Sequence, residues 1–237
     1  RSGEMSSWSL DLIQSLPGQT LEGWNHQLDQ TIATGSPHVS IYDLSVEPGT
    51  VFHHRLNKGD LTLLEDDLSC DLMALTSARL SEAGFRRYEL SNHARPGHAS
   101  RHNRVYWSGA GWWGFGMGAT SAPWGQRLAR PRTREAYAAW LDDPREPECG
   151  LGVPLDEQLL VGLRREEGMD LRAFNLSPAQ ITALEKRWAP FLVDGLMQRR
   201  AGRWCLKDPE GMALSNRVLL EVVLWWESQC GAAESSL

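Results

Sequence analysis

The stretch Trp8-Ser9-Leu10-Asp11-Leu12-Ile13-Gln14-Ser15-Leu16-Pro17-Gly18-Gln19-Thr20 decides the fold class. Trp8, Leu10 and Leu12 alternate with Ser9 and Asp11, the period of two that marks a strand with one buried face. Leu16-Pro17-Gly18-Gln19 breaks that run, and Thr20 has the right side chain for a helix N-cap. Leu21, Trp24, Leu28 and Ile32 then keep helical spacing until Gly35. Val39-Ser40-Ile41-Tyr42-Asp43-Leu44 supplies a second strand, closed by Glu47-Pro48-Gly49-Thr50. Two short strands flanking one helix predict a right-handed βαβ unit and a parallel sheet. Thr62-x-x-Glu65 reads as a capping box for a further helix, with Leu68, Leu72, Leu75 and Leu80 on its buried side and Gly84 at its end. Tyr88-Glu89-Leu90 reads as another strand. This is α/β architecture, half of a barrel or of a doubly wound sheet.

Further along, five glycines fall within Gly109–Gly118, mixed with Trp112, Trp113 and Phe115. Their spacing is not that of a dinucleotide-binding loop. A short helix is expected near Thr133–Leu141, followed by Asp/Pro/Glu-rich linker chemistry. The tail then forms a separate unit: a helix from Pro154 through Leu163, a second opening at Ser177-Pro178, a hairpin over Leu196–Lys207 turning at Ala201-Gly202, and a last helix from about Met212 to Trp226. Helix, helix, hairpin, helix is a winged-helix-like plan. The expected organisation is thus a barrel portion (1–125), a linker with a short helix (126–150) and a C-terminal domain (151–237).

The chain has 237 residues, 41% hydrophobic and 23% charged, an ordinary globular composition. No run of about 18 apolar residues exists, so no membrane span is expected, though peripheral contact with a membrane stays open. The four cysteines, Cys70, Cys149, Cys205 and Cys230, are scattered. They form no close pair of the kind that zinc or an iron–sulfur cluster needs, and their scarcity suits a reducing, cytoplasmic setting. The first residue is Arg1 and no charged-then-apolar leader follows, so the chain is expected to begin partway through a longer protein.

The net charge of −6 is unevenly spread. Residues 1–85 carry four basic and twelve acidic side chains, whereas residues 86–134 carry nine arginines against Glu89 alone. Overall acidity argues against non-specific nucleic-acid binding, and residues 151–226 hold ten basic and ten acidic groups. The Arg-rich middle calls for an anionic partner of its own.

Two places carry chemistry. Asp11 is a carboxylate in an otherwise apolar strand before a Pro-Gly turn, near the strand end where α/β folds bind ligands. It either meets such a ligand or is satisfied by neighbouring backbone or an arginine. His102-Asn103-Arg104-Val105-Tyr106-Trp107 sets one histidine beside an amide, a phenol and an indole. Histidine is a common axial ligand of haem iron, indole and phenol rings offer stacking faces, and arginine forks match carboxylates. Such a histidine can equally be structural.

At these residues a resemblance enters. Asp11 to Thr20 resembles the D-L-I-x-G-L-P-G-Q-T segment of the radical S-adenosylmethionine (SAM) enzymes related to oxygen-independent coproporphyrinogen III oxidase, and His102 to Trp107 resembles the H-N-x-x-Y-W motif of their HemW branch, the heme chaperones. Tyr42-Asp43-Leu44, Ser91-Asn92, Gly162-Leu163-Arg164 and Leu214-Ser215-Asn216 are similar to further stations of the same family, in collinear order. The resemblance implies the C-terminal part of a partial (β/α) barrel. It implies SAM contacts at Asp11, Ser45 and Thr120, and heme held by His102 as iron ligand with Asn103, Tyr106 and Trp107. It implies delivery of that heme to acceptor proteins. Porphyrinogen oxidation is the alternative within the family; a nucleic-acid-binding winged helix or an inactive truncated product are alternatives outside it. The family's four-iron four-sulfur cluster sits on C-x-x-x-C-x-x-C, which this chain lacks, so its ligands are expected elsewhere and the chain alone is expected to be inactive. Ser15 replaces the usual Gly of the first motif, and Thr120 stands where His is expected.

Overall fold

The computed structural model describes residues 7–144 and 152–234, with backbone alone for 230–234. Cys149, the thiol of Cys230 and the end of the expected linker (145–150) lie outside the described residues. The chain forms two compact units: residues 1–99, 191–198 and 206–215 make the first, and residues 100–190, 199–205 and 216–237 the second.

In the first unit, β1 (Ser9–Gln14), α1 (Leu21–Ala33) and β2 (His38–Asp43) form the expected β–α–β run, with β1 and β2 parallel and Leu10 opposite Val39. Thr20 caps α1, its hydroxyl accepting the Gly23 N–H at 3.1 Å. The strands' apolar face, Leu12, Val39 and Ile41, packs with Trp24 and Leu28 of α1. Leu72 and Leu80 of α3 (Asp66–Glu82) complete this core.

Three expectations are corrected. A short helix, α2 (Val51–Asn57), follows β2, with Thr50 accepting the His53 N–H; the Pro-Gly turn before it hid this start. The next helix, α3, begins at Asp66 with Glu65 at its N-cap position and no side-chain cap bond, so Thr62-x-x-Glu65 is not a capping box. Residues 88–90 are the turn of a hairpin, not a strand: β3 (Arg86–Arg87) and β4 (Asn92–Ala94) flank them. Because β4 runs antiparallel to both β2 and β3, the sheet order is β1-β2-β4-β3 and the sheet is mixed. Two-residue strands leave no periodicity for a sequence pattern to show.

Residues 206–215, with the short α8 (Glu210–Ala213), pack back onto α3. Asp208 forms an ion pair with the buried Arg87 (Nε–Oδ1 3.2 Å) and accepts the Ser77 hydroxyl at 2.6 Å.

The second unit holds α4 (Arg101–Ser108), a small hairpin of β5 (Thr120–Ser121) and β6 (Leu128–Ala129), α5 (Arg134–Asp142), α6 (Leu155–Leu163) and α7 (Pro178–Val193). β7 (Met197–Arg200) and β8 (Arg203–Leu206) turn at Ala201-Gly202 as expected, both at positive φ. The final helix, α9 (Ser215–Glu234), starts later and runs longer than the sequence suggests. Within this unit Leu159, Leu184, Trp188, Val222 and Trp225 are fully buried.

Candidate functional site

The two faces of the first unit's sheet differ in chemistry. Opposite the apolar face, the register sets Asp11 beside Ser40 and Ser40 beside Asn92. Asp11 is third in its six-residue strand rather than at the end, and it is exposed. Ser40 and His38 beside it are buried, as are Asn92 and Glu89 further along the sheet. His38 is held at both ring nitrogens, by the Ser9 hydroxyl (2.8 Å) and the Tyr88 hydroxyl (2.9 Å). Burial lowers its pKa, with Asp11 opposing. Burial raises the pKa of Glu89 although its carboxylate accepts from Asn92 and from the Ser91 N–H. Ser45 is exposed just past the end of β2.

At the carboxyl end of β1 the buried Gln14 donates to Asp43 (2.7 Å) and accepts from Thr76 (3.2 Å), whose oxygen in turn accepts the Trp24 indole N–H (2.8 Å). Ser15 takes the left-handed conformation, φ 64°, and its hydroxyl donates to Asp43 at 3.1 Å. A glycine would adopt that φ without strain, which accounts for the Gly in the family's motif.

The second candidate lies in the second unit on α4. Ser100 caps the helix by accepting the Asn103 N–H at 3.2 Å, and Gly109 ends it at φ 72°. Spacing of four sets His102 and Tyr106 on one side, both exposed; Asn103 and Trp107, half-buried, form the neighbouring stripe. All four motif residues are thus gathered on two helical turns. The His102 ring meets Tyr106 edge-on (centroids 4.9 Å, 81°), and Tyr106 meets Trp112 likewise (4.7 Å, 66°). Tyr106 and Trp107 also line a cavity of about 150 Å³, completed by Trp112, Met169, Phe174 and Arg165.

Trp112 was not singled out by the sequence, although the Gly-rich stretch around it was. The structure explains that stretch. Residues 111–114 lie flush against 120–123: a Cβ on Gly111 would come within 2.0 Å of the Pro123 carbonyl oxygen, and one on Gly114 within 2.5 Å of that of Thr120. Only glycine permits this approach. Thr120 is half-buried on β5, and its carbonyl accepts the Trp112 indole N–H at 3.0 Å.

The arginines of residues 86–134 do not form one anion-binding field. Arg87 pairs with Asp208, Arg104 with Glu167 and Arg127 with Glu157; Arg95 lies over Phe85, and Arg130 over Phe115 and Trp140. Near α4, burial pushes the Glu167 carboxyl up, but its own backbone N–H with Arg165 and Arg104 outweighs this and holds it below the usual range.

Among the described residues no three His, Cys, Asp or Glu side chains are placed to hold a metal ion. Burial, reinforced by Asp67, Asp66 and Asp71, raises the Cys70 thiol. Burial also raises Cys205, against nearby arginines. Neither favours the thiolate that a cluster requires.

Comparison with known structures defines the class of fold. The chain superposes on Escherichia coli coproporphyrinogen III oxidase (HemN), a radical SAM enzyme, with a TM-score of 0.66 over 92% of this chain and 55% of that one, at 17% identity. It therefore has a HemN-like fold of mixed α/β content.

Sequence narrows this further. The chain is 36% identical to the heme chaperone HemW of Synechocystis over 91% of its length and 58% of that protein, and 35% identical to HemW of Mycobacterium tuberculosis over 89% and 54%. It is 30% identical to the mitochondrial radical S-adenosyl methionine domain-containing protein 1 of Danio rerio over 91% and 51%. The chain is similar to the HemW heme chaperones over most of its own length, and it spans little more than half of theirs. No family model matches it. None of its described helices is long and apolar enough to cross a membrane.

Proposed function

We propose that this chain is the heme-handling portion of a HemW-like heme chaperone, with His102 as the iron ligand. One observation carries the reading: an exposed imidazole on a short capped helix, in edge contact with Tyr106, whose ring meets Trp112 and with it borders a cleft. That set suits a flat aromatic macrocycle approached along its axis. A cavity of about 150 Å³ is too small for a whole porphyrin and would receive an edge of it. The cargo would pass to heme-acceptor proteins in the cytoplasm.

Asp11 is the proposed contact to SAM in the intact protein, with Ser45 and Thr120 as lesser contacts. Its exposure beside Ser40, on the sheet face away from the apolar core, supports the role. The cluster's ligands would come from outside this chain, in keeping with the absence of C-x-x-x-C-x-x-C. We further read the first part (1–125) as the end of a partial barrel, 126–150 as its linker and 151–237 as a winged-helix-like domain.

Hemin titration followed in the Soret region tests the ligand. His102→Ala is expected to abolish or strongly shift the band, and His26→Ala to leave it unchanged. Wild-type spectra from both variants would refute the assignment.

A further inference from the structure

We propose that Trp112 is a positioning residue for the His102 imidazole and acts through Tyr106, an inference that rests on the heme reading above. His102 lies in the first turn of an eight-residue helix and is exposed, so α4 alone leaves its ring free to turn about χ1 and χ2. What restricts it is the edge of Tyr106 at 4.9 Å, and Tyr106 is itself backed by Trp112 at 4.7 Å.

Trp112 is anchored outside the helix. Its backbone exchanges hydrogen bonds with Ala122 (2.8 and 3.4 Å), and its indole N–H is fixed on the Thr120 carbonyl at 3.0 Å. The flush approach at Gly111 and Gly114 opposes sliding of this segment by a residue, because a side chain brought there would strike backbone. Segment, indole, phenol and imidazole thus form a chain of contacts from the hydrogen-bonded backbone to the ligating ring. Pre-setting the ring in this way lowers the ordering cost of binding, which strengthens ligation beyond the contact that Trp112 offers the cargo as part of the cavity wall.

The test uses the full chain and ferric hemin. Trp112→Leu, which removes the aromatic backing, is expected to weaken hemin binding about 2- to 10-fold, the range of one ordered side chain, and to broaden the Soret band. Trp112→Phe keeps an aromatic edge for Tyr106, so its loss is expected to be smaller. A coupling measurement separates positioning from general structure. In His102→Ala supplied with free imidazole the ligand no longer belongs to the chain, so Trp112→Leu is expected to cause a smaller loss there, that of its cavity-wall contact alone. Equal losses with and without His102 would make Trp112 merely structural and overturn the inference. So would wild-type binding by both Trp112 variants alongside lost ligation in His102→Ala, with the heme reading left standing. An unchanged His102→Ala spectrum would instead remove the heme reading itself.

Discussion

The sheet of the first unit and helix α4 of the second hold their polar and aromatic groups in opposite ways. In the sheet unit, buried groups are satisfied by one another: Trp24, Thr76 and Gln14 form one hydrogen-bonded line that ends on the exposed Asp43. On α4, His102 and Tyr106 are exposed and are ordered by ring contacts. The first arrangement is expensive to disturb, because a buried group left unpaired loses its full solvation. The second can be altered at small cost to the fold. The buried hydrogen-bonded line and the proposed heme-binding chemistry thus lie in different units.

The largest expected effect tests that division directly. Trp24→Ala removes a fully buried side chain and its bond to Thr76, and should cost about 3–5 kcal/mol in urea unfolding. Tyr106→Ala should cost no more than about 1 kcal/mol while weakening hemin binding. If Tyr106→Ala unfolds the chain, the contrast fails. Next, Asp208→Ala strands the buried Arg87 guanidinium. Because Asp208 is 37% exposed, the loss should be roughly 2–3 kcal/mol, below that of a fully buried pair. The double variant with Arg87→Met should recover much of it.

His93 gives a pH signature to the sheet unit alone. It is 3% exposed, neither ring nitrogen has a partner among the described residues, and it lies opposite Arg87 across the β3–β4 pair. Burial, with Arg87 and His38 nearby, lowers its pKa far below 6.5. The unfolded chain therefore binds a proton that the folded chain refuses. Stability from this group is complete above the unfolded pKa and falls as the pH drops below it, at up to ~1.4 kcal/mol per pH unit. The difference between wild type and His93→Gln, followed by thermal melting from pH 7.5 to 5, should show that slope; a flat difference would break the prediction.

Two smaller effects follow. Ser100→Ala deletes the α4 cap and should cost ~1 kcal/mol, with weaker hemin binding and recovery in Ser100→Asp. Ser15→Gly relieves the left-handed backbone but gives up the bond to Asp43, and should stabilise by about 0.5 kcal/mol in calorimetry.

The same contrast governs how much was legible in the sequence. The β–α–β opening was readable because six-residue strands and a thirteen-residue helix leave periodic traces. The β3–β4 hairpin was not, since its strands have two and three residues and its turn contains the apolar Tyr88 and Leu90. The four residues of the α4 motif were readable from their resemblance to a known family. Trp112 was not, because its role depends on a carbonyl eight residues away and on two glycines pressed against backbone. The charge of residues 86–134 could not show which arginines pair internally: several of them meet carboxylates and rings of the chain itself.

The return of residues 206–215 to α3 has a consequence for synthesis. Arg87 leaves the ribosome about 120 residues before its counter-ion Asp208, which at ~5–20 residues per second is an interval of several seconds or more. Until then the guanidinium lacks its ion-pair partner and has only the fields of Glu89 and Asp43. The sheet unit is therefore closed only after the intervening segment, α4 and its cap included, has been made.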